Sequence, residues 1–247
     1  MRSLVAAPLA ALSFLTIVPV PGAGALPPRA FPRAVGLFPL AGAAIGLVVA
    51  LADASLRATL PPGVLAALDL GLLAVLSGGL HLDGLADSAD GLLGTRGREE
   101  RLAIMRQGTI GAFGAATLVV VLLIDFAALS DLAERGRVLV GASAASRWAM
   151  SLALWRFPYA RPSGVGRSFK DGLTGIDVAL GCALAALVAV AALGAAGLAL
   201  VAAGAAVALA VGWFAAARLG GLTGDVYGAI CELSFASALL VALGGRV

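Results

Sequence analysis

Long apolar runs recur along nearly the whole chain and restrict its fold more than any other feature of the sequence. A helix that crosses a bilayer needs about 20 apolar residues. Candidate runs lie at 34–56, 63–82, 109–129, 138–156, 176–195, 198–217 and 226–244. Only 13% of the residues are charged, about half the share of a soluble domain. We therefore expect an all-α, polytopic membrane helical bundle of about seven transmembrane helices, built as one domain over residues 1–247.

The first apolar stretch, residues 4–18, is shorter than the others and follows Arg2, as in a signal peptide. Pro19 and Pro21 end the stretch, and no clear small-residue cleavage site precedes a soluble domain. We expect a retained additional short N-terminal helix, either short or interfacial.

Positive side chains are divided unequally between the two sides of such a bundle. If seven spans alternate, eleven Arg or Lys residues fall on the side of the polar segments 83–108 and 157–175, against four on the other. Positively charged loops stay in the cytoplasm, so that side is expected to face the cytoplasm of a bacterial cytoplasmic (inner) membrane. The net charge of +3 follows from this topology, and no nucleic-acid partner is expected.

Three aspartates and the only histidine follow the second long run, in the segment Gly79-Leu-His-Leu-Asp-Gly-Leu-Ala-Asp-Ser-Ala-Asp-Gly91. Asp83, Asp87 and Asp90 are spaced i, i+4, i+7, which places them on one face of a helix. Carboxylates crowded beside a membrane are costly without a cation, and their oxygens suit Mg²⁺ or Mn²⁺. We expect a divalent metal site, with a solvated helix end as the alternative. His81 either contacts substrate or moves a proton, or is an ordinary interfacial histidine.

The segment from Tyr159 to Lys170 combines positive side chains with glycines and hydroxyls. Arg161, Arg167 and Lys170 can bind phosphate, and the glycines let backbone amides approach an anion. A positively charged cytoplasmic loop would explain the same residues. The phosphate interpretation gains weight when a metal site lies opposite.

Two further acids share one face of the last span, Asp225 and Glu232 at i and i+7. Glu232 lies about two turns inside, where an unpaired carboxylate is costly, so it should face the bundle interior. Arg147 in the fourth span needs a partner for the same reason, and an ion pair with an intramembrane acid is one option. Asp69 and Asp125 are expected at a membrane boundary.

Together these residues indicate an enzyme that forms phosphodiesters or transfers phosphoryl groups at the cytoplasmic face. In such chemistry a metal bridges phosphate oxygens, and a carboxylate accepts the proton of an attacking hydroxyl. A cation-coupled transporter is the main alternative, although it predicts acids near the bilayer midplane rather than at one face.

The run Gly78-Gly-Leu-His-Leu-Asp-Gly-Leu-Ala-Asp-Ser-Ala-Asp-Gly91 resembles the signature of the cobalamin synthase family, the adenosylcobinamide-GDP ribazoletransferases. The resemblance covers nearly the full chain. Other similar segments are Ser13–Pro21, Phe38–Gly42, Ile104–Arg106, Gly111–Gly114, Ser146–Arg147, Tyr159–Gly166 and Gly221–Glu232.

The resemblance implies a Mg²⁺-dependent transferase of cobalamin (vitamin B12) biosynthesis in the membrane. It joins adenosylcobinamide-GDP to α-ribazole, or its 5′-phosphate, giving adenosylcobalamin or its phosphate and releasing GMP. The expected metal ligands are Asp83, Asp87, Asp90 and Asp225, the expected catalytic residues Asp83, Asp87, His81 and Glu232, and the expected phosphate ligands Arg161, Arg167 and Lys170. The identity of the base among these acids stays open, as do the lower base of the ribazole and a homo-oligomeric state.

One segment departs from the family pattern. After Met105-Arg106 the family usually has an acid, a serine and an arginine, where this chain has Gln107-Gly-Thr109. If the acid and the arginine form a salt bridge in relatives, their joint loss is nearly neutral. The aspartate pattern is also similar to that of CDP-alcohol phosphotransferases, but Asp87 stands where that family has an arginine.

Overall fold

The computed structural model describes residues 2–245, with side chains from Val5 onward, as an all-α protein. Its α-helices are α1 (Arg2–Leu15), α2 (Ala30–Val35), α3 (Phe38–Leu56), α4 (Pro62–Leu76), α5 (Leu80–Leu92), α6 (Arg98–Ile104), α7 (Ala112–Asp131), α8 (Arg135–Arg156), α9 (Val165–Lys170), α10 (Gly175–Leu193), α11 (Gly197–Leu219) and α12 (Gly224–Gly244). Short 3₁₀ helices lie at Ala23–Ala25 and Gly194–Ala196. The predicted fold class and the short N-terminal helix are confirmed.

Five helical stretches are long and apolar enough to cross a membrane, and the pair α4–α5 adds a sixth if it forms one bent span. The longest stretch, Gly175–Leu219, has 45 residues and turns back at Gly194, where φ is +65°. The turn packs Gly197 against the carbonyl of Ala189. Helices α10 and α11 are therefore the two spans predicted on either side of residues 195–197. The bundle then has six spans, or the expected seven if α4–α5 forms one bent span.

Helix α8 is the centre of the bundle, and α3, α10, α11 and α12 pack around it. Of the stretch of α8 that could span a membrane, 83% is buried inside the protein. The corresponding share for α7 is 28%. Small residues permit this packing, since a side chain at Gly42 of α3 would collide with the Ser143 carbonyl oxygen of α8. Close backbone approach of this kind stabilises helix association in a bilayer, where the hydrophobic effect does not.

The span predicted at 63–82 is interrupted, because the helix breaks at Ser77–Gly79 and α5 leaves α4 at an angle of 90°. Gly78 and Gly79 have φ of +64° and +68°, a conformation that glycine adopts without steric cost. The acidic segment lies on helix α5, which continues to Leu92, as the i, i+4, i+7 spacing of its aspartates predicted.

Asp69 and Asp125, expected at a membrane boundary, are buried within the protein, with 3% and 1% of their surface exposed. Arg135, which the topology places among the loop charges, explains Asp69. Its Nε lies 3.4 Å from Asp69 Oδ2, and its Nη2 lies 2.7 Å from Asp53 Oδ1. This paired cluster of Arg135, Asp53 and Asp69 joins the start of α8 to α3 and α4.

Candidate active site

Helix α5 lies inside the bundle because α12 and α7 pack directly against it. Glycines set the closest approach to α12. A Cβ atom at Gly84 would lie 2.7 Å from the Asp225 carbonyl oxygen, and Gly228 lies against His81 and Gly84. The two acidic motifs, far apart in sequence, are adjacent in the fold, with Asp83 close to the first turns of α12.

The C-terminal end of α5 is held by Arg101, which is 8% exposed. Its guanidinium donates hydrogen bonds of 2.7–2.9 Å to the carbonyl oxygens of Gly91, Leu92, Gly94 and Arg96. The last carbonyls of a helix have no partner within it, and positive charge is favourable there. Arg101 therefore fixes the helix that carries the acids.

Both carboxylate oxygens of Asp90 are engaged by helix α7. Oδ2 accepts a hydrogen bond from Gly111 N at 2.7 Å, and Oδ1 accepts one from Gly114 N at 2.9 Å. Asp90 thus caps the N-terminus of α7, where a negative charge is favourable. A metal role for Asp90 stays a prediction.

A cavity of about 250 Å³, the main cavity, opens beside α5 and the first turns of α12. Asp83, Arg161 and Asp225 lie in its wall together with His81 and Gly164. Acidic, basic and glycine-rich motifs that lie far apart in the sequence therefore converge here.

The acids fit a divalent cation by their chemistry. The charges of Asp83, Asp225 and Asp90 all act on Asp87, so four carboxylates from α5 and α12 share one region. Their hard oxygens suit Mg²⁺, and a cation would relieve the repulsion among them. Asp83 and Asp225 would present this ligand set to the main cavity.

A second group of metal-binding side chains lies deeper in the bundle. Within residues 5–245, only His81, Cys231 and Glu232 have ligand atoms that all lie within 4.8 Å of one another. A thiol and an imidazole suit softer metals than Mg²⁺. The positive charge of Arg147 acts on all three residues and opposes a cation there, so we assign no metal to this group.

Arg161 is the predicted phosphate ligand that lies in the main cavity. Its Nη2 is 2.9 Å from Asp225 Oδ2, a partly exposed ion pair. Its loop is fixed against the start of α12, since Ala160 N donates to the Leu222 carbonyl oxygen at 2.8 Å. Arg161 can therefore neutralise Asp225 in the free protein and remain within reach of a phosphate group.

The other two predicted phosphate ligands have partners elsewhere. Arg167 is exposed and pairs with Asp171 at 3.3 Å. Lys170 Nζ donates to the Leu154 carbonyl oxygen at 2.7 Å. Burial lowers the pKa of Lys170, and the charge of Asp171 opposes that shift. Neither side chain lines the main cavity, so their phosphate roles stay predictions.

Glu232 lies behind the main cavity rather than in its wall. Its Oε1 is 3.9 Å from His81 Nδ1. With Asp125 and Arg147 it lines a separate cavity of about 20 Å³, which is room for one water molecule among polar partners. We refer to Asp125, Arg147 and Glu232 as the unpaired cluster, because no ion pair shorter than 4 Å joins Arg147 to any side chain the structure describes.

The apolar part of the main cavity was not predicted from the sequence. Phe14, Met150 and Phe169 lie in its wall, and none has a polar atom that marks a site. Phe14 belongs to the N-terminal helix, for which the sequence predicts only a short or interfacial element. The one available signal was the presence of Tyr159 and Tyr227 within the polar motifs of a chain with only 6% aromatic residues.

Comparison with known proteins agrees with the acidic signature and its surroundings. The sequence model of the family described as cobalamin-5-phosphate synthase matches residues 7–243. The chain belongs to this family. Membership in the cobalamin-5-phosphate synthase family places the chain among the transferases of cobalamin synthesis, as the resemblance implied.

Relatives in this family cover the chain almost completely. A protein of Roseiflexus sp. (strain RS-1), named adenosylcobinamide-GDP ribazoletransferase, is 39% identical over 238 residues, which is 93% of this chain and 86% of that protein. Proteins of the same name from Pseudomonas aeruginosa (strain PAO1) and Escherichia coli O17:K52:H18 are 40% and 35% identical, covering 98% and 95% of this chain and 99% and 98% of theirs. No solved structure matches the chain.

Proposed function

We propose that the protein joins adenosylcobinamide-GDP to α-ribazole, or to its 5′-phosphate, and releases GMP. The convergence of Asp83, Arg161 and Asp225 on the main cavity carries this proposal. Displacement at a phosphate needs acids that hold a metal ion and a cation that holds the phosphate, side by side. The names of the relatives are consistent with the same reaction.

In the proposed reaction a ribazole hydroxyl attacks the phosphorus atom that is linked to cobinamide. The bond from that phosphorus to the bridging oxygen breaks, and GMP leaves with the oxygen. A Mg²⁺ ion held by Asp83, Asp87 and Asp225 would neutralise charge on the pyrophosphate oxygens. One of these acids accepts the hydroxyl proton, and Glu232 acts as a positioning residue through His81, 3.9 Å away.

The ion pair between Arg161 and Asp225 gives the free protein a way to hold both groups before substrate arrives. Their 2.9 Å contact neutralises each charge. A pyrophosphate offers Arg161 a bidentate partner, and a metal ion offers one to Asp225. Loading of the site is therefore an exchange of partners rather than the burial of a new charge.

We place the site at the cytoplasmic face of a bacterial cytoplasmic membrane. The ends of α7, α8 and α12 that surround the site border the segments with most of the Arg and Lys residues. Large apolar side chains such as Leu187 and Trp213 are 66% and 74% exposed, as expected for a surface that contacts lipid.

The test is release of GMP by the purified protein in liposomes. It is supplied with adenosylcobinamide-GDP, α-ribazole or its phosphate, and Mg²⁺, with EDTA as the control. Metal-dependent release of GMP together with the matching cobamide product is the expected result. A folded protein that releases no GMP with either acceptor contradicts the proposal.

A further inference from the structure

Two chemically different groups of side chains line the main cavity. Arg161 pairs with Asp225 in one group, and Phe14 packs on Phe169 in the other; we call these parts of the wall the polar end and the apolar end. Asp83, Arg161 and Asp225 form the polar end, where the proposed reaction takes place. The apolar end is walled by Phe14 of α1, Met150 and Leu154 of α8, and Phe169 of α9. A ligand that fills the whole cavity must therefore be polar at one end and apolar at the other.

Packed aromatic rings support the apolar end from behind. The ring centroids of Phe14 and Phe169 are 4.4 Å apart, and Phe38 lies 5.9 and 5.5 Å from them. Because ring–ring contacts have preferred geometries, this wall is ordered in the absence of a ligand. A flat aromatic group is well suited to pack against it.

The volume of the main cavity is too small for the corrinoid ring of adenosylcobinamide-GDP. Pockets for drug-sized ligands have volumes of roughly 300–1,000 Å³. The main cavity, at about 250 Å³, therefore accepts a group the size of a nucleoside and not a corrinoid ring.

Two aromatic groups of the substrates remain, the guanine of one and the benzimidazole of the other, and they differ in the number of hydrogen bonds that they need. A guanine base carries several donors and acceptors, which would be buried without partners against Met150, Leu154 and Phe169. The benzimidazole base of a ribazole has one free ring acceptor. Tyr227 lines the same cavity, and its buried hydroxyl has no partner among the described residues, so it is a candidate donor for that acceptor.

We propose that the apolar end binds the aromatic base of the ribazole substrate and that Leu154 and Met150 limit the size of that base; this inference rests on the proposed function. The ribose then extends toward Asp83 and Arg161, where its hydroxyl reacts. The corrinoid stays outside, and only the pyrophosphate of the second substrate enters the polar end.

The first test is Leu154→Phe, which adds volume to the apolar end alone. The KM for ribazole with a dimethylbenzimidazole base should rise at least about tenfold, since methyl-sized differences in a pocket discriminate by about 10–200-fold. The KM for unsubstituted benzimidazole riboside should rise less, and that for adenosylcobinamide-GDP should stay within about twofold. The matched control Leu187→Phe, on the lipid-facing surface of α10, should change none of these values.

Leu154→Ala tests the same wall in the opposite direction. It should raise the ratio of kcat/KM for a larger naphthimidazole riboside over the dimethylbenzimidazole riboside by about tenfold. If Leu154→Phe raises the KM for adenosylcobinamide-GDP alone, or changes neither KM, the base does not occupy this end and the inference is overturned.

Equilibrium binding distinguishes failure of this inference from failure of the proposed function. The protein in liposomes is titrated with α-ribazole alone, and the fluorescence of the benzimidazole is followed. Saturable binding that Leu154→Phe weakens supports the base pocket even in the absence of GMP release, and the proposed function alone then fails. GMP release with no weakening of ribazole binding by Leu154→Phe overturns the base pocket and leaves the function intact.

Discussion

Helix α8 carries two buried arginines, Arg135 at its start and Arg147 about three turns further on, and their surroundings differ sharply. Arg135 has carboxylate oxygens of Asp53 and Asp69 at 2.7 and 3.4 Å. Arg147 hydrogen-bonds only to the neighbouring Ser146 hydroxyl, at 3.2 Å, among the described residues, and it faces Glu232 across a water-sized cavity. The paired cluster lies at the far end of the bundle, and the unpaired cluster lies behind the main cavity.

The contrast between Arg135 and Arg147 shows that a buried charge can have two different roles. A direct ion pair holds helices together, and removal of one partner leaves an uncompensated charge. A charge without a direct partner adds less to stability, but its field reaches neighbouring groups such as His81 and Glu232. We therefore expect changes in the paired cluster to reduce stability, and changes near the main cavity to reduce activity.

The largest expected effect is that of Asp83→Asn at the main cavity. Loss of a metal-binding carboxylate should reduce GMP release by about 10²–10³-fold and leave the unfolding midpoint in detergent unchanged. Asp131→Asn, an exposed acid at the other end of α7, is the matched control and should retain full activity. Normal turnover by Asp83→Asn would contradict the proposal that Asp83 binds the metal ion.

Arg135→Met should produce the opposite pattern. The two buried acids lose their shared partner, so the free energy of unfolding should fall by about 3–5 kcal/mol, as measured by titration with denaturing detergent. GMP release per folded molecule should not change. The exposed Arg137, which pairs with Glu134 at 3.5 Å, is the control, and Arg137→Met should cost less than about 1 kcal/mol. If the two variants lose equal free energy of unfolding, the buried ion pairs of Arg135 do not stabilise the bundle more than an exposed pair does.

The unpaired cluster is best tested with Arg147→Met, Glu232→Gln and the double variant. Each single change should lower the free energy of unfolding by about 1–3 kcal/mol, less than Arg135→Met. The double variant should be more stable than the sum of the two predicts, with a coupling of about 0.5–3 kcal/mol. Additive losses would show that the two side chains do not interact across the small cavity.

The smallest expected effect concerns pH. Burial lowers the pKa of Lys170 below 10.5, so the unfolded chain binds the proton more readily between the folded and unfolded pKa values. The contribution of Lys170 to stability therefore rises with pH through the folded pKa, up to about 10.5. The difference in unfolding midpoint between the wild type and Lys170→Met should shift in favour of the wild type from pH 7 to 10. Arg167→Met is the control, and its difference should be constant, since a guanidinium stays charged.

Hydropathy predicted most of the helices well because bilayer-spanning helices are defined by length and composition. The span predicted at 138–156 is the helix Arg135–Arg156, and the hairpin turn predicted at 195–197 lies at Gly194–Ala196. Hydropathy missed the break within 63–82 because it averages over residues and does not detect the backbone conformation of Gly78 and Gly79 that breaks the helix.

The candidate site could be predicted only in part. Asp83 and Arg161 carry chemistry that a sequence displays, and the fold brings them together as expected. Asp90, which caps α7, and Arg135, which binds two acids, depend on partners distant in the chain. Phe14 could not be identified because an apolar residue reveals nothing of its neighbours until the helices are packed.

The break between α4 and α5 also has a consequence for synthesis of the protein. Helix α5 brings its aspartates into the membrane region soon after α4 emerges, but its partner α12 begins only at Gly224. At about 5–20 residues per second, α12 follows roughly 7–30 s later. In the folded protein the positive charge of Arg161 acts on Asp87, and Arg161 is held in place by its ion pair with Asp225 of α12. We therefore expect the acidic half-span to stay in contact with water until α12 has been inserted.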